Sequence, residues 1–240
     1  LHAATPLASF AVDLNGGSMF LELQEVLTEG EVQRLRAWAR GGRFADGRLS
    51  SPHSTVKNNL QIDHADPVYG ESAKLMAAAL HRSDAFGNFA YPRIMAPPML
   101  AKYVPGMNYG AHSDAAFMTV GERPLRSDLS CTLFISDPAS YEGGELSIRL
   151  GTRDVAFKGA AGSAVVYPSN TLHEVKPVSA GERLVGLTFI ESMIPDPANR
   201  DMLYHLDEVA ALEGFNMSWE NRTRLQYVRN NLRRIWGESE

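Results

Sequence analysis

The sequence predicts an α+β chain with a mainly β core, an antiparallel sandwich or jelly roll with helices at both ends. Three observations carry that expectation. From about residue 90 to 191, short runs rich in Val, Ile, Leu and Phe are broken by Pro and Gly, the texture of many short antiparallel strands. Before and after that stretch, apolar residues recur at helical spacing. With 240 residues, 44% of them hydrophobic, the chain can bury the core of one domain with appendages.

In chain order, residues 1–19 read as a terminal segment, tag-derived or disordered. Leu1-His2-Ala3-Ala4-Thr5-Pro6 has neither an initiator Met nor a basic stretch followed by an apolar one. Residues 20–194 read as the helix-flanked jelly-roll domain, and 195–240 as a C-terminal helical extension packed on it or on a second subunit. Phe20 to Leu27 suits an opening strand. Thr28-Glu29-Gly30-Glu31 matches a capping box, and the helix behind it carries Val32, Leu35 and Trp38 or Ala39 inward before stopping at Gly41-Gly42. Residues 43–60 are polar and loop-like. A second helix is expected from Pro67 to His81, with Leu75, Met76, Ala79 and Leu80 as its apolar face.

Strands are expected at 94–103, 109–114, 129–136, 145–150, 153–158, 163–167, 171–176 and 183–191. Within 129–136, Leu129, Cys131, Leu133 and Ile135 form one apolar face. Ser130, Thr132 and Phe134 form a mixed one, suited to a pocket wall or to an exposed surface. Tyr141-Glu142-Gly143-Gly144-Glu145 reads as a turn. Asp196-Pro197 is a helix start, Gly214 a plausible stop, and a last helix from about Ser218 presents Leu225, Val228, Leu232 and Ile235. That stripe suits packing, on the sheet or in a homodimer.

The formal charge of -5 argues against general nucleic-acid affinity. The late arginines (Arg222, Arg224, Arg229, Arg233, Arg234) read as a solvated helix face. Cys131 is the single cysteine, so no intrachain disulfide can form. No apolar run approaches the roughly 18 residues of a membrane span. The composition fits a reducing cytoplasm, with no membrane partner.

The chemistry is concentrated in His112-Ser113-Asp114, His173 and Arg183. A His-x-Asp pair in an extended segment puts both side chains on one face, because strand side chains alternate. Two imidazoles and one carboxylate with coordination positions left open form the facial triad of non-heme Fe(II) oxygenases. Taken singly, each histidine is as well explained by a surface or core role. Arg183 offers a permanently charged fork to a carboxylate.

These residues, with the stretches around them, resemble the Fe(II)/2-oxoglutarate-dependent dioxygenases of the prolyl hydroxylase-like branch, and among these the bacterial PKHD-type hydroxylases. The likeness runs from about residue 20 to the end. It rests on Lys57-Asn58-Asn59-Leu60-Gln61, Tyr103-x-x-Gly106-x-x-Tyr109-Gly110-x-His112-x-Asp114 and Arg126-x-Asp128-Leu129-Ser130-x-Thr132-Leu133-Phe134. It continues through Tyr141-Glu142-Gly143-Gly144-Glu145-Leu146, Tyr167-Pro168-Ser169-x-x-x-His173-x-Val175-x-Pro177-Val178 and Gly181-Glu182-Arg183. Ala115 and Ala116 depart from the pattern, since such enzymes often carry Asn directly after the aspartate.

The resemblance implies a double-stranded β-helix, with His112, Asp114 and His173 as ligands of Fe(II). It implies 2-oxoglutarate as co-substrate, its far carboxylate on Arg183 with Tyr103 and Thr132 beside it. O2 is then consumed as 2-oxoglutarate is decarboxylated to succinate and CO2, an unactivated C–H bond of an amino-acid-like or peptidyl substrate is hydroxylated, and ascorbate acts as a supporting reductant. Lys57, Asn58, Asn59, Tyr109 and Arg126 are the candidates for the substrate mouth, although turn hydrogen bonds would explain residues 57–59 equally well, and a structural Arg126–Asp128 ion pair is the better reading of Arg126. Two alternatives use the same groups: a sensor that binds iron and 2-oxoglutarate without turnover, and a cupin-like metalloenzyme of other chemistry.

Overall fold

Each long helix begins where a side chain can serve the free amide groups of its first turn. In the computed structural model, which describes residues 20–51 and 53–238, β1 (Leu21–Leu23) leads into α1 (Glu29–Gly41). The Glu31 N–H donates to Thr28 Oγ1 and the Thr28 N–H to the Glu31 carboxylate, a reciprocal capping box. Val32, Leu35 and Ala39 are buried, and Gly42 is the C-cap. The expectations on residues 1–19 lie outside the described residues.

The stretch 43–60, expected as a loop, contains two short strands, β2 (Phe44–Asp46) and β3 (Lys57–Asn58), and ends at the start of a third, β4 (Leu60–Ile62). They are too short to show a period and take their pairing from neighbours. α2 (Pro67–His81) starts at Asp66 with Pro67 in its first turn. A further helix, α3 (Asp84–Ala90), follows Ser83 as N-cap and buries Phe86, Phe89 and Ala90.

The expected strand 94–103 is two strands, β5 (Pro92–Met95) and β6 (Met99–Tyr103). Pro97 and Pro98 separate them because proline has no N–H to give a ladder. After β7 (Asn108–His112) the chain makes a hairpin, β8 (Phe117–Val120) and β9 (Arg123–Arg126), that the sequence reading passed over. Then come β10 (Leu129–Phe134), β11 (Tyr141–Gly143), β12 (Leu146–Leu150) and β13 (Arg153–Phe157). The last strands are β14 (Ala164–Pro168), β15 (His173–Val175), β16 (Val178–Gly181) and β17 (Arg183–Ser192). The helices α4 (Pro197–Glu213) and α5 (Trp219–Trp236) complete the described chain.

Two antiparallel sheets face each other. The larger has the order β1-β14-β10-β17-β6-β4-β2, with β5 also paired to β17; the smaller runs β13-β12-β15-β7-β3. Between them lies a core that includes Tyr103, Phe134, Ile148, Val165, Tyr167 and Val185. The outer face of the larger sheet packs on the first three helices through Leu35, Met76, Leu80, Phe86, Leu129, Cys131 and Leu133. Strand β10 thus divides as strand alternation requires, Leu129, Cys131 and Leu133 toward the helices, Phe134 toward the second sheet. This is the double-stranded β-helix, or jelly roll, with flanking helices.

α4 joins the main core through Tyr204, edge-on to Phe89, and a smaller cluster of Tyr91, Ile194 and Leu203 receives Leu232 and Trp236 of α5. α5 buries none of its residues fully, and Val228 and Ile235 of the anticipated stripe are exposed. To that apolar contact α5 adds an ionic hold on α4, with Arg229 and Arg233 converging on the buried Asp207, which also accepts from the Tyr91 hydroxyl at 2.5 Å. Among the described residues, no helix is long and apolar enough to cross a membrane.

The turn at Gly143-Gly144 leads from β11 into β12. Both glycines have positive φ, 70° and 69°. A Cβ at Gly143 would stand 2.1 Å from the Pro177 carbonyl oxygen, and one at Gly144 would stand 3.0 Å from Arg183 Cδ. Left-handed backbone costs a residue with a Cβ about 1–2 kcal/mol, before the clash is counted. Gly143→Ala is therefore expected to lower the melting temperature by several degrees, at roughly 2–4 °C per kcal/mol for a chain of this size. An unchanged melting curve would show that the turn has another conformation available.

Candidate metal centre

Antiparallel pairing of β7 with β15 sets His112 opposite His173, with ring centroids 4.3 Å apart. His112 Nδ1 lies 2.8 Å from the Gly110 carbonyl oxygen and His173 Nδ1 lies 2.9 Å from that of Thr171. A carbonyl can only accept, so each Nδ1 carries the proton and each neutral ring keeps its lone pair on Nε2. The His173 Nε2 is 3.6 Å from Asp114 Oδ2, and the His112 Nε2 is 3.8 Å from Asp114 Oδ1. One ligand atom from each residue falls within 4.8 Å of the other two. Burial, then the neighbouring His173, push the His112 pKa down, favouring the neutral form that coordinates a cation. Two imidazole nitrogens and one carboxylate on a single side are a donor set suited to a divalent transition metal with open positions.

Asp114 is held from behind by a chain of hydroxyls. Ser130 Oγ donates to Asp114 Oδ2 at 2.5 Å, lies 2.7 Å from Ser169 Oγ, and Ser127 Oγ donates to Ser169 Oγ at 2.8 Å. Ser130 has one proton and spends it on the carboxylate, so it accepts from Ser169. The Asp114 N–H also donates to the Ser169 carbonyl at 3.1 Å. Oδ2 is thereby anchored while Oδ1 turns toward His112.

The opposite wall belongs to the larger sheet. Arg183 opens β17 across from Tyr103 on β6, and its guanidinium carbon lies 5.0 Å from the Tyr103 ring centroid. Arg183 is 1% exposed, yet Nε and Nη1 have no hydrogen-bond partner among the described residues. A buried cation with free donors calls for an anion. The Tyr103 hydroxyl accepts from Asn59 Nδ2 at 3.0 Å, and burial pushes its pKa up, keeping it protonated beside the arginine. Triad and arginine line one cavity of about 720 Å³, in the range of small-molecule sites.

The other anticipated residues separate into two groups. Lys57, Asn59, Tyr109 and Thr132 line the cavity, and Tyr109 stacks on His112 with ring centroids 3.6 Å apart. Asn58 and Arg126 are absent from its lining. The Asn58 amide donates to the Gly106 carbonyl at 3.1 Å. Arg126 is engaged elsewhere, by Asp128 at 2.8 Å and Glu238 at 3.0 Å, because both carboxylates lie on its side of the hairpin base. Neither is positioned as a substrate contact here. The sequence reading did not assign the Ser127–Ser169–Ser130 chain to the site; a hydroxyl on the same strand face as Thr132 was the available signal. Gln61, His64 and Tyr69 also line the cavity, with the last two rings stacked 4.1 Å apart.

Residues 98–191 match the family model for the 2OG-Fe(II) oxygenase superfamily. A PKHD-type hydroxylase of Sphingopyxis alaskensis is 49% identical over 215 residues, covering 90% of this chain and 98% of that protein. One from Thermosynechococcus vestitus is 36% identical over 226 residues, 92% of this chain and all (100%) of that one. Among solved structures, a prolyl hydroxylase from Trichoplax adhaerens, in complex with a peptide fragment of the hypoxia inducible factor oxygen degradation domain, superposes with a TM-score of 0.55. It is 16% identical and the match covers 71% of this chain and 83% of that one. The alpha-ketoglutarate-dependent epimerase SnoN from nogalamycin biosynthesis gives a TM-score of 0.53 at 16% identity, covering 72% and 79%. These two show a shared fold, and their different reactions show that the fold alone does not set the product.

The hydroxyl chain makes a prediction for metal binding. Ser130→Ala removes the donor that orients Asp114, and loss of such a supporting hydrogen bond typically weakens a metal site by about 10–100-fold. Titration of Mn(II) or Co(II) into the purified variant should show that loss. Unchanged affinity would mean that Asp114 is positioned by its backbone alone.

Proposed function

This chain belongs to the PKHD-type hydroxylases of the 2OG-Fe(II) oxygenase superfamily, and from that premise we propose which residues do the work and on what. As a member of that family it is a 2-oxoglutarate-dependent hydroxylase that uses Fe(II), 2-oxoglutarate and O2. In the proposed assignment, His112, Asp114 and His173 hold the iron and Arg183 receives the far carboxylate of 2-oxoglutarate. The observation that carries this reading is one cavity with three converging ligand atoms on one sheet and a buried guanidinium with unused donors on the other.

When bound, iron and 2-oxoglutarate together supply an oxidant strong enough for an unactivated C–H bond, with succinate and CO2 released. The chain's own contribution is placement and exclusion. The Gly110 and Thr171 carbonyls fix the two imidazole tautomers. Ser130 holds the carboxylate. Arg183 and the Tyr103 hydroxyl offer a fork and a donor to the co-substrate, while Thr132 and Tyr167 close the buried floor. Apolar walls at Leu146, Val175 and Leu187 limit water beside the reacting centre.

For the substrate we propose an amino-acid-like or peptidyl molecule. The peptide held by the fold-related prolyl hydroxylase supports this reading, as does a cavity that adds the exposed or half-exposed polar groups of Ser50, Ser51, Gln61 and His64 to its buried lining. Ascorbate as a supporting reductant belongs to the same proposal.

Asp114→Ala removes the anionic ligand and is expected to abolish succinate formation from 2-oxoglutarate, measured by mass spectrometry in the presence of Fe(II). Turnover at the wild-type rate with normal iron content would reject the assignment. Arg183→Leu should raise the 2-oxoglutarate concentration needed for turnover by about a hundredfold or more, because truncating one side of a buried charged pair costs several kcal/mol.

A further inference from the structure

The structure points to a second anion-binding position in the cavity, and we propose that Lys57 receives a carboxylate of the substrate, so that the hydroxylated molecule is an acid. The inference rests on the reading of the metal and co-substrate groups given above and names what that reading leaves open.

Lys57 sits on β3 opposite Tyr109 of β7 and is only 6% exposed. Its Nζ donates to Ser50 Oγ at 2.8 Å and to Ser51 Oγ at 3.4 Å, and lies 5.3 Å from the centre of the Tyr109 ring. All of these partners are neutral. No carboxylate among the described residues lies within ion-pair distance of this ammonium. Asp46, a nearby acid, is spent on Arg48 at 2.5 Å, and Asp114 belongs to the metal centre. Burial holds the Lys57 pKa down to about 8, so the group is still charged at neutral pH; the more distant Asp114 and Asp46 carboxylates offset part of that cost without pairing with it.

Charge balance identifies what is missing. A divalent cation, Asp114, doubly ionised 2-oxoglutarate and Arg183 sum to zero. Lys57 stands outside that balance as a further positive charge in the same cavity, hydrogen-bonded to neutral hydroxyls and without an ion-pair partner of its own among the described residues. A carboxylate neutralises it. A phosphate monoester, carrying about -1.5 to -2 at pH 7, would overcompensate, and an uncharged substrate would leave the ammonium buried and unpaired, which is costly. The Ser50 hydroxyl, which accepts from the ammonium, spends its own proton on the Gly47 carbonyl or Gln61 Oε1, so the ammonium itself is the donor left for a carboxylate.

The position also bears on where the reaction falls. Tyr109 is the shared neighbour of Lys57 and His112, 5.3 Å from the one and ring-stacked at 3.6 Å on the other. A carboxylate seated on Lys57 therefore holds the carbon skeleton across the Tyr109 side of the metal centre. A free amino acid, another small carboxylic acid, or an acidic group of a peptide all present the chemistry required.

The test uses the full chain, loaded anaerobically with Mn(II) and 2-oxoglutarate, and a fragment panel of carboxylic acids matched with their primary amides, read by ligand-observed NMR. Acids are expected to bind the wild type at least about tenfold more tightly than their amides, the size of one charge-assisted hydrogen bond. Lys57→Met should erase that preference and Lys57→Arg keep it, with 2-oxoglutarate affinity unchanged in both. A wild type that does not distinguish any acid from its amide overturns the proposal. So does a Lys57→Met variant that loses 2-oxoglutarate instead, since Lys57 would then serve the co-substrate. Failure of the wild type to bind Mn(II) at all is a different result and rejects the metal-centre assignment itself.

Discussion

The register between β7 and β15 is the constraint on which the rest of the site depends. It is a backbone matter, set by a short antiparallel ladder that places His112 across from His173. A slip of one residue would turn every side chain of β7 to the other face, removing His112 and Tyr109 from the cavity together. The ladder is brief and irregular, with a register shift between His173 and Val175. It is supported on both sides, by β12 pairing with β15 and β3 pairing with β7. The larger sheet supplies the opposing wall, and helices behind it keep that wall from bending.

Electrostatics then divides the cavity into parts with different demands. Two imidazoles are oriented by carbonyl acceptors that hold the proton on Nδ1, and a single carboxylate is anchored by hydroxyls from the facing sheet. Arg183 and Lys57 are both buried cations whose near neighbours are aromatic rings and hydroxyls. Such groups are expensive to bury alone. The proposed ligands, 2-oxoglutarate at Arg183 and a substrate carboxylate at Lys57, would each bring the anion that such a buried cation calls for.

Much of this was legible in the sequence where the cause is local. Thr28 with Glu31, Asp66 with Pro67, and Asp196 with Pro197 announced their helices through capping chemistry that acts within a few residues. The alternation along β10 announced its two faces. The His-x-Asp spacing announced two neighbouring groups, but not as two positions of one strand: β7 ends at His112, and Asp114 lies just beyond it with its N–H on the Ser169 carbonyl. What stayed hidden is held by distant partners. The Ser127–Ser169–Ser130 chain joins positions about forty residues apart, and Arg126 is claimed by Glu238 from the far end of the described chain. The helix at Asp84–Ala90 left a signal, Ser83 followed by apolar Phe86, Phe89 and Ala90, but is too short for periodicity to stand out. Gly121 and Glu122 between the strands of the β8–β9 hairpin were likewise a weak mark.

The central claim is that one cavity holds a metal on His112, Asp114 and His173 and a dicarboxylate on Arg183. A crystal structure of the protein grown anaerobically with Mn(II) and 2-oxoglutarate tests it most directly. The metal is expected on both Nε2 atoms and the Asp114 carboxylate, with the far carboxylate of 2-oxoglutarate paired to Arg183. A metal bound elsewhere, or a dicarboxylate reaching Lys57 while Arg183 stays unpaired, would contradict it.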